Sequence, residues 1–357
     1  MINQARLNGA FEHLREIGIS QMLISDPLAI FYYTGKLMRS GERLLALYLN
    51  ADGGNRLFLN KLMNCPEDLG VEKVWLDDAD DAIAIVAAVT DHSRPLGVDK
   101  NLPARFLLPL MEKQAGSAFV NASIAIDRQR AVKDAAEQEA MVLSSQLNDA
   151  AMERFRALIH PGVTEREVAA QIPVIYKELG ADRMEFGIVA FGANAADPHH
   201  RPDDTVLKEG DCVLLDVGAL KDSYCSDMTR TVFFGTVSEK AREVYNIVRR
   251  ANEEAEKAVK PGMRFCEIDR IARDIITEAG YGPNFTHRLG HSIGLCDHEY
   301  GDVSSVNEDV IRPGMTFSIE PGIYLPGEFG VRIEDLVLVT EDGCRILNDY
   351  SKELLLV

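Results

Sequence analysis

His160-Pro-Gly-Val-Thr-Glu-Arg-Glu167 and Lys260-Pro-Gly-Met-Arg-Phe-Cys-Glu267 stand one hundred residues apart and share Pro, Gly and Glu at the same offsets. Each opens a predicted helix, closed by Lys177-Glu-Leu-Gly180 in one case and Thr277-Glu-Ala-Gly280 in the other. Downstream, Glu209-Gly-Asp-Cys-Val-Leu-Leu-Asp-Val-Gly218 is echoed by Pro313-Gly-Met-Thr-Phe-Ser-Ile-Glu-Pro-Gly322, which sets Asp216 against Glu320. A third pairing sets Asp227 against Glu334, each beside a β-rich stretch. The period is too long for a solenoid. It predicts two α+β halves related by approximate two-fold symmetry.

The repeat places acids in equivalent positions. The apolar strands around Asp216 and Glu320 each end in a carboxylate, and these two are expected to approach each other on a shared sheet. Asp227 and Glu334 are expected on the returning strands. Four carboxylates in one partly buried place would repel and raise each other's pKa unless cations lie between them. A pair of divalent metal ions removes that conflict.

Between the repeated blocks runs Phe285-Thr-His-Arg-Leu-Gly-His-Ser-Ile-Gly-Leu-Cys-Asp-His-Glu299, which holds three of the eight histidines. His287 and His291 have i, i+4 spacing, but Arg288 stands where a helical zinc motif has Glu, and Gly290 and Gly294 disfavour a helix. A glycine-rich strand and loop delivering an imidazole to a metal fits better, with His287 structural. An oxygen-rich donor set with a single imidazole suits Mn²⁺, Co²⁺ or Fe²⁺ better than a cysteine-rich zinc site.

Outward from these blocks, the stretch from Arg128 to Ile159 reads as charged amphipathic helix broken only at His160-Pro-Gly162, and the domain boundary is placed near residue 128. Before it lie a helix over 3–18, strands at 21–25, 44–50 and 56–60, a helix near 79–90 and a strand ending at Asp99. This is a small α/β domain with no nucleotide fingerprint.

The 357 residues carry 38 Lys plus Arg against 56 Asp plus Glu, a formal charge of −18, which argues against nucleic acid or an anionic membrane as partner. The longest apolar run, Ala82 to Val89, is too short to span a bilayer, and the N-terminus has no apolar signal core. Six scattered cysteines form no C-x-x-C pair and read as reduced thiols. Together these features predict a soluble, cytoplasmic protein.

Leu214-Leu-Asp-Val-Gly with Ser226-Asp-Met-Thr-Arg-Thr, His287-Arg-Leu-Gly-His-Ser, Phe317-Ser-Ile-Glu-Pro-Gly and Gly330-Val-Arg-Ile-Glu-Asp335 together resemble the "pita-bread" metallopeptidases of family M24. The subgroup is that of the Xaa-Pro dipeptidases (prolidases) and Xaa-Pro aminopeptidases. The resemblance implies a catalytic pita-bread domain over 129–357, behind an α/β creatinase/prolidase-type domain over 1–128. It implies that Asp216, Asp227, His291, Glu320 and Glu334 hold two divalent ions, Mn²⁺ or Co²⁺, with Fe²⁺ or Zn²⁺ as alternatives. Asp227 and Glu334 would bridge them.

By the same resemblance His298 contacts the substrate carbonyl, His199 is a substrate-side histidine counted with Glu320 and His298 among the catalytic residues, and Arg332, near the metal shell, binds substrate with His199 and His298. His200 matches nothing. Two metals would acidify a bridging water and polarise the carbonyl, Glu320 would shuttle the proton, and His298 would donate to the oxyanion. The expected substrate is a small proline-containing peptide and the expected assembly a homodimer. Prolidases often carry a carboxylate-binding arginine four residues after the His298 position, where this chain has Asp302. The short chain favours a dipeptidase, and Asp302 an aminopeptidase. A creatinase-like hydrolase or lyase is a lesser alternative, since such members lack much of the metal set. So is a non-catalytic binding protein. The added N-domain weighs against a methionine aminopeptidase.

Overall fold

Short polar side chains cap the starts of the first three helices of the first unit. A computed structural model describes residues 2–357, and the chain separates into two compact units, Met1–Arg130 and Ala131–Val357. Helix α1 (Gln4–Glu16) is capped by the Asn3 side chain, which accepts from the Arg6 N–H, and strand β1 (Gln21–Ile24) follows. Helix α2 (Pro27–Thr34) starts at an Asp26 cap with proline in its first turn and stops at Gly35, whose φ is +69°. This helix is absent from the expected pattern.

Strands β2 (Ala46–Asn50), β3 (Arg56–Asn60) and β4 (Glu72–Leu76) lead to α3 (Ala82–Ala87), which is shorter than the 79–90 expected because it starts at the Asp81 cap. Then come β5 (Leu96–Val98), α4 (Ala104–Glu112), β6 (Phe119–Asn121) and α5 (Ser123–Ala131). The six strands form one mixed sheet in the order β4-β3-β2-β1-β5-β6.

The second unit opens with α6 (Ala135–Arg156) and α7 (Glu165–Glu178). The continuous helix expected from Arg128 is interrupted at Lys133–Asp134. There the Asp134 carboxylate accepts from the N–H groups of Ala136 and Glu137, and Glu137 accepts in return from the Asp134 N–H, a capping box that starts a new helix. Next run β7 (Arg183–Phe191), β8 (Cys212–Lys221), β9 (Tyr224–Cys225) and β10 (Met228–Phe233), forming a sheet ordered β10-β8-β7 with β9 beside β8.

The second half repeats the plan with α8 (Glu239–Ala258), α9 (Phe265–Glu278), β11 (Gly290–His291) and β12 (Asp302–Val303). It continues with β13 (Thr316–Ile319), β14 (Gly322–Leu325), β15 (Phe329–Arg332), β16 (Asp335–Val339) and β17 (Cys344–Ile346). The duplication extends to detail. Gly162 and Gly262 take φ of +82° and +88° ahead of α7 and α9, and Gly180 and Gly280 take +84° and +89° behind them, all conformations open chiefly to glycine. Thr164 bridges Val206, as Arg264 bridges Val310. On the long helices, Asn148 donates to the Val217 carbonyl at 2.9 Å and Asn252 to the Ile319 carbonyl at 2.8 Å.

Two expectations are corrected. Asp216 lies in mid-strand, opposite Thr229 and Ile188, not at a strand end. Asp216 and Glu320 do not share a hydrogen-bonded sheet, because β8 belongs to β10-β8-β7 and β13 to β13-β16-β17. Side-chain alternation brings the halves together instead. Val213, Leu215, Val217 and Ala219 pack under α6 and α7, while Cys212 and Leu214 join the core of the second half, so Asp216 falls on the face toward that half.

Candidate metal centre

All eight residues singled out from sequence line one cleft of about 530 Å³: His199, Asp216, Asp227, His291, His298, Glu320, Arg332 and Glu334. His199 and His298 lie in loops, and the five candidate ligands are placed by a strand or its flank. Asp216 is in β8, Asp227 precedes β10, His291 is in β11, Glu320 follows β13, and Glu334 sits between β15 and β16. One donor atom each from Asp227, His291 and Glu334 lies within 4.8 Å of the others. His291 Nε2 is 3.5 Å from Asp227 Oδ2 and 3.4 Å from Glu320 Oε1.

Charge in this place is poorly neutralised by the protein. Arg332 Nη2 donates to Asp216 Oδ2 at 2.6 Å, the Thr229 hydroxyl to Glu334 Oε2 at 2.6 Å, and the Ser318 hydroxyl to Glu320 Oε1 at 3.1 Å. Asp216 Oδ1, Asp227 Oδ1 and Glu334 Oε1 are buried and have no hydrogen-bond partner among the described residues. Buried carboxylate oxygens rarely stay unsatisfied.

Burial, reinforced by the charge of Asp216, pushes Asp227 up to about 7 against the pull of its His291 hydrogen bond. Burial and the charges of Asp227, Glu320 and Asp216 drive Glu334 well above the ordinary carboxylate range. Burial would lower His291, but its hydrogen bond to Asp227 and the neighbouring carboxylates hold it above its usual value. Hard oxygen donors, raised pKa values and open lone pairs are what a pair of divalent cations satisfies. These residues fit the metal ions that the resemblance implies.

Around the donors stand groups that aim them. Arg332 gives Nη1 to the Tyr324 oxygen at 2.7 Å, Nε to Thr229 Oγ1 at 3.1 Å, and Nη2 also to the Pro198 carbonyl at 3.4 Å. Four of its five N–H groups are thus engaged by the protein, one of them on Asp216. The His298 ring lies against that of His291, with centroids 4.0 Å apart and planes inclined by 54°. Burial, then the proximity of His291, holds His298 below its ordinary value. Such a neutral ring offers one N–H and one lone pair at pH 7. His287, which also lines the cleft, contacts the Tyr324 oxygen at 2.8 Å and the Arg288 carbonyl at 2.7 Å.

Sequence reasoning missed the rest of the cleft: Phe186, Ile188, Pro198, Arg288 and Asp297. Residues 186 and 188 share one face of β7, a period-2 signal visible in the sequence but without meaning until the partner half is in place. It also missed a second acid–histidine group, Glu165, His200 and Asp203. There the carboxylate is full. Glu165 Oε1 accepts from the Phe191 N–H and Asn194 Nδ2 at 2.7 and 2.9 Å, and Oε2 from His200 Nε2 and the Asp203 N–H at 2.7 and 3.0 Å.

Four acids and one imidazole, drawn from two repeated halves and holding unpartnered buried oxygens, could hold divalent metal ions. The chain belongs to metallopeptidase family M24, which it matches over residues 139–341, and residues 6–132 match the creatinase/prolidase N-terminal domain. It is therefore an enzyme of the metallopeptidase class. It is 40% identical to an uncharacterized peptidase of Staphylococcus saprophyticus, over 97% of this chain and 100% of the relative. A dipeptidase from Pyrococcus horikoshii superposes with a TM-score of 0.92 at 35% identity, covering 99% of this chain and 100% of that one. A prolidase from Thermococcus sibiricus gives 0.92 at 33%, covering 99% and 98%. No helix among the described residues is long and apolar enough to cross a membrane.

Proposed function

We propose that this chain hydrolyses the bond preceding proline in Xaa-Pro dipeptides or short peptides, using two divalent ions, Mn²⁺ or Co²⁺, held by Asp216, Asp227, His291, Glu320 and Glu334. The observation that carries it is the convergence of those five side chains on one cleft with three buried carboxylate oxygens left open. Bound there, the ions supply Lewis acidity toward a carbonyl and a water acidified near neutral pH.

The chain's own groups divide the remaining work. Glu320, restrained by one hydrogen bond from Ser318, takes the proton of the attacking water and passes it to the leaving nitrogen. His298, neutral and on the cleft wall, donates to the oxygen on which negative charge develops. His199 lines the same cleft on the side of Pro198, Phe186 and Ile188. These apolar groups suit a pyrrolidine ring, and a bond before proline has no N–H for a site to grip. The same proposal includes a homodimer in the cytoplasm, as the resemblance implies, with light scattering as the check on assembly.

The deciding experiment gives the Mn²⁺- or Co²⁺-loaded protein Ala-Pro and Ala-Pro-Xaa peptides. Hydrolysis of the dipeptide alone is the result expected of a prolidase. Faster tripeptide cleavage would make it an Xaa-Pro aminopeptidase, in keeping with Asp302, and cleavage of neither would overturn the assignment.

A further inference from the structure

His200, which matches nothing in the family pattern, is tied into the molecule more firmly than its neighbour His199. Its Nε2 lies 2.7 Å from Glu165 Oε2, and the Glu165 carboxylate is wholly buried at the start of α7. Glu165 also accepts from the Phe191 N–H at the end of β7 and from the Asp203 N–H beyond His200. The backbone adds two links to the α7 start, Glu165 N–H to the Thr205 carbonyl at 3.2 Å and Arg166 N–H to the Asp203 carbonyl at 3.0 Å.

At its other end the same loop is held by the Pro198 carbonyl, which accepts from Arg332 Nη2, the nitrogen that also donates to Asp216. His199 sits between these two fastenings. Its backbone N–H bonds to Asp197 Oδ1 at 3.0 Å, and the residue faces the cleft. The Glu165 oxygens already accept four donors, so this carboxylate has no lone pair to spare for a cation.

We infer that Glu165 and His200 form a clasp that positions His199 in the cleft, so that His200 is a positioning residue for substrate binding. The inference rests on the reading of His199 as a substrate-side group. Loss of this hydrogen bond to a buried charge lets the loop sample other positions and weakens substrate binding by roughly tenfold.

The test uses the Mn²⁺-loaded full chain with Ala-Pro as substrate and His200→Ala, His200→Gln, His199→Ala and the double alanine variant. His200→Ala is expected to raise KM about tenfold with kcat and Mn²⁺ affinity nearly unchanged. His200→Gln, whose amide nitrogen can still donate to Glu165, is expected to recover most of that loss. In the double variant the effects should not add, because both changes remove the same contact.

Hydrogen–deuterium exchange supplies a readout independent of turnover. Residues 197–205 should exchange faster in His200→Ala while 212–221 do not change. Unaltered exchange in the loop would overturn the clasp, even if the wild type proved inactive on Ala-Pro, an outcome that would instead count against the proposed function. Faster exchange with unchanged KM, or full additivity with His199→Ala, would overturn the positioning role. Loss of Mn²⁺ affinity in His200→Ala would show a general structural role and overturn it as well.

Discussion

Two places in this molecule gather glutamate, aspartate and histidine within a few ångströms, and only one of them calls for a metal. Both carboxylate oxygens of Glu165 accept N–H donors, two to each. Around Asp227, His291 and Glu334 the donors are scarce, and one oxygen of each acid is buried with nothing to accept from. Residue type and proximity do not separate the two. The count of satisfied lone pairs does: a filled carboxylate organises its neighbours, and an unfilled one binds a cation.

The sharpest way to break this contrast is to remove the acid expected to bridge the ions. Glu334→Ala should lose bound metal and at least about three orders of magnitude in kcat/KM, read by metal analysis and Ala-Pro hydrolysis. A variant that kept both would refute the bridging role. Next in size, His298→Ala should lower kcat by roughly two orders while keeping its metal, the cost usual for one oxyanion donor. Joint loss of metal would show instead that the imidazole resting against His291 is a structural prop.

The third test turns on sign and is read in the thermal midpoint. In the metal-free protein Asp227 holds its proton up to about pH 7, whereas an unfolded aspartate releases it near 4. Between those values the folded state binds more protons, so metal-free stability should fall as pH rises through that window and then level off for this group. Glu334, also raised, acts in the same direction. Neutralising the crowd should therefore help: Glu334→Gln should melt higher than wild type at pH 8 without metal. Glu165→Gln should melt lower by several degrees, because its amide would confront N–H donors, a loss of about 1–3 kcal/mol. Matching signs for the two variants would erase the distinction.

What could be read beforehand follows the same division between local and assembled information. Gly162, Gly180, Gly262 and Gly280 announced the repeat because a left-handed backbone leaves its mark in composition. The four acids were legible because the repeat aligned them. The break at Asp134 was legible too, and was passed over: Asp134 and Glu137 spell a capping box inside a run otherwise suited to helix. Asp26-Pro27 and Gly35 likewise delimit α2. Other features had no local signal at all. Glu165 and His200 lie 35 residues apart, and Arg332 and Asp216 lie 116 apart. Their meaning exists only after the chain has closed on itself.

That closure has a consequence for the order in which the molecule is made. The bonds that tie the halves at the centre, Thr229 to Glu334, Arg230 to Asp335 and Arg332 to Asp216, join positions 105, 105 and 116 residues apart. Contacts so distant along the chain are among the costliest to bring together and form late in folding. Each half can wrap its own helices around its own strands first, with its acids still facing water and unopposed. The site thus exists only after the step that brings the acids of the two halves face to face. A cation that binds only the finished arrangement leaves the climb to that step untouched and deepens the basin beyond it, acting as a latch on unfolding rather than as a template for folding.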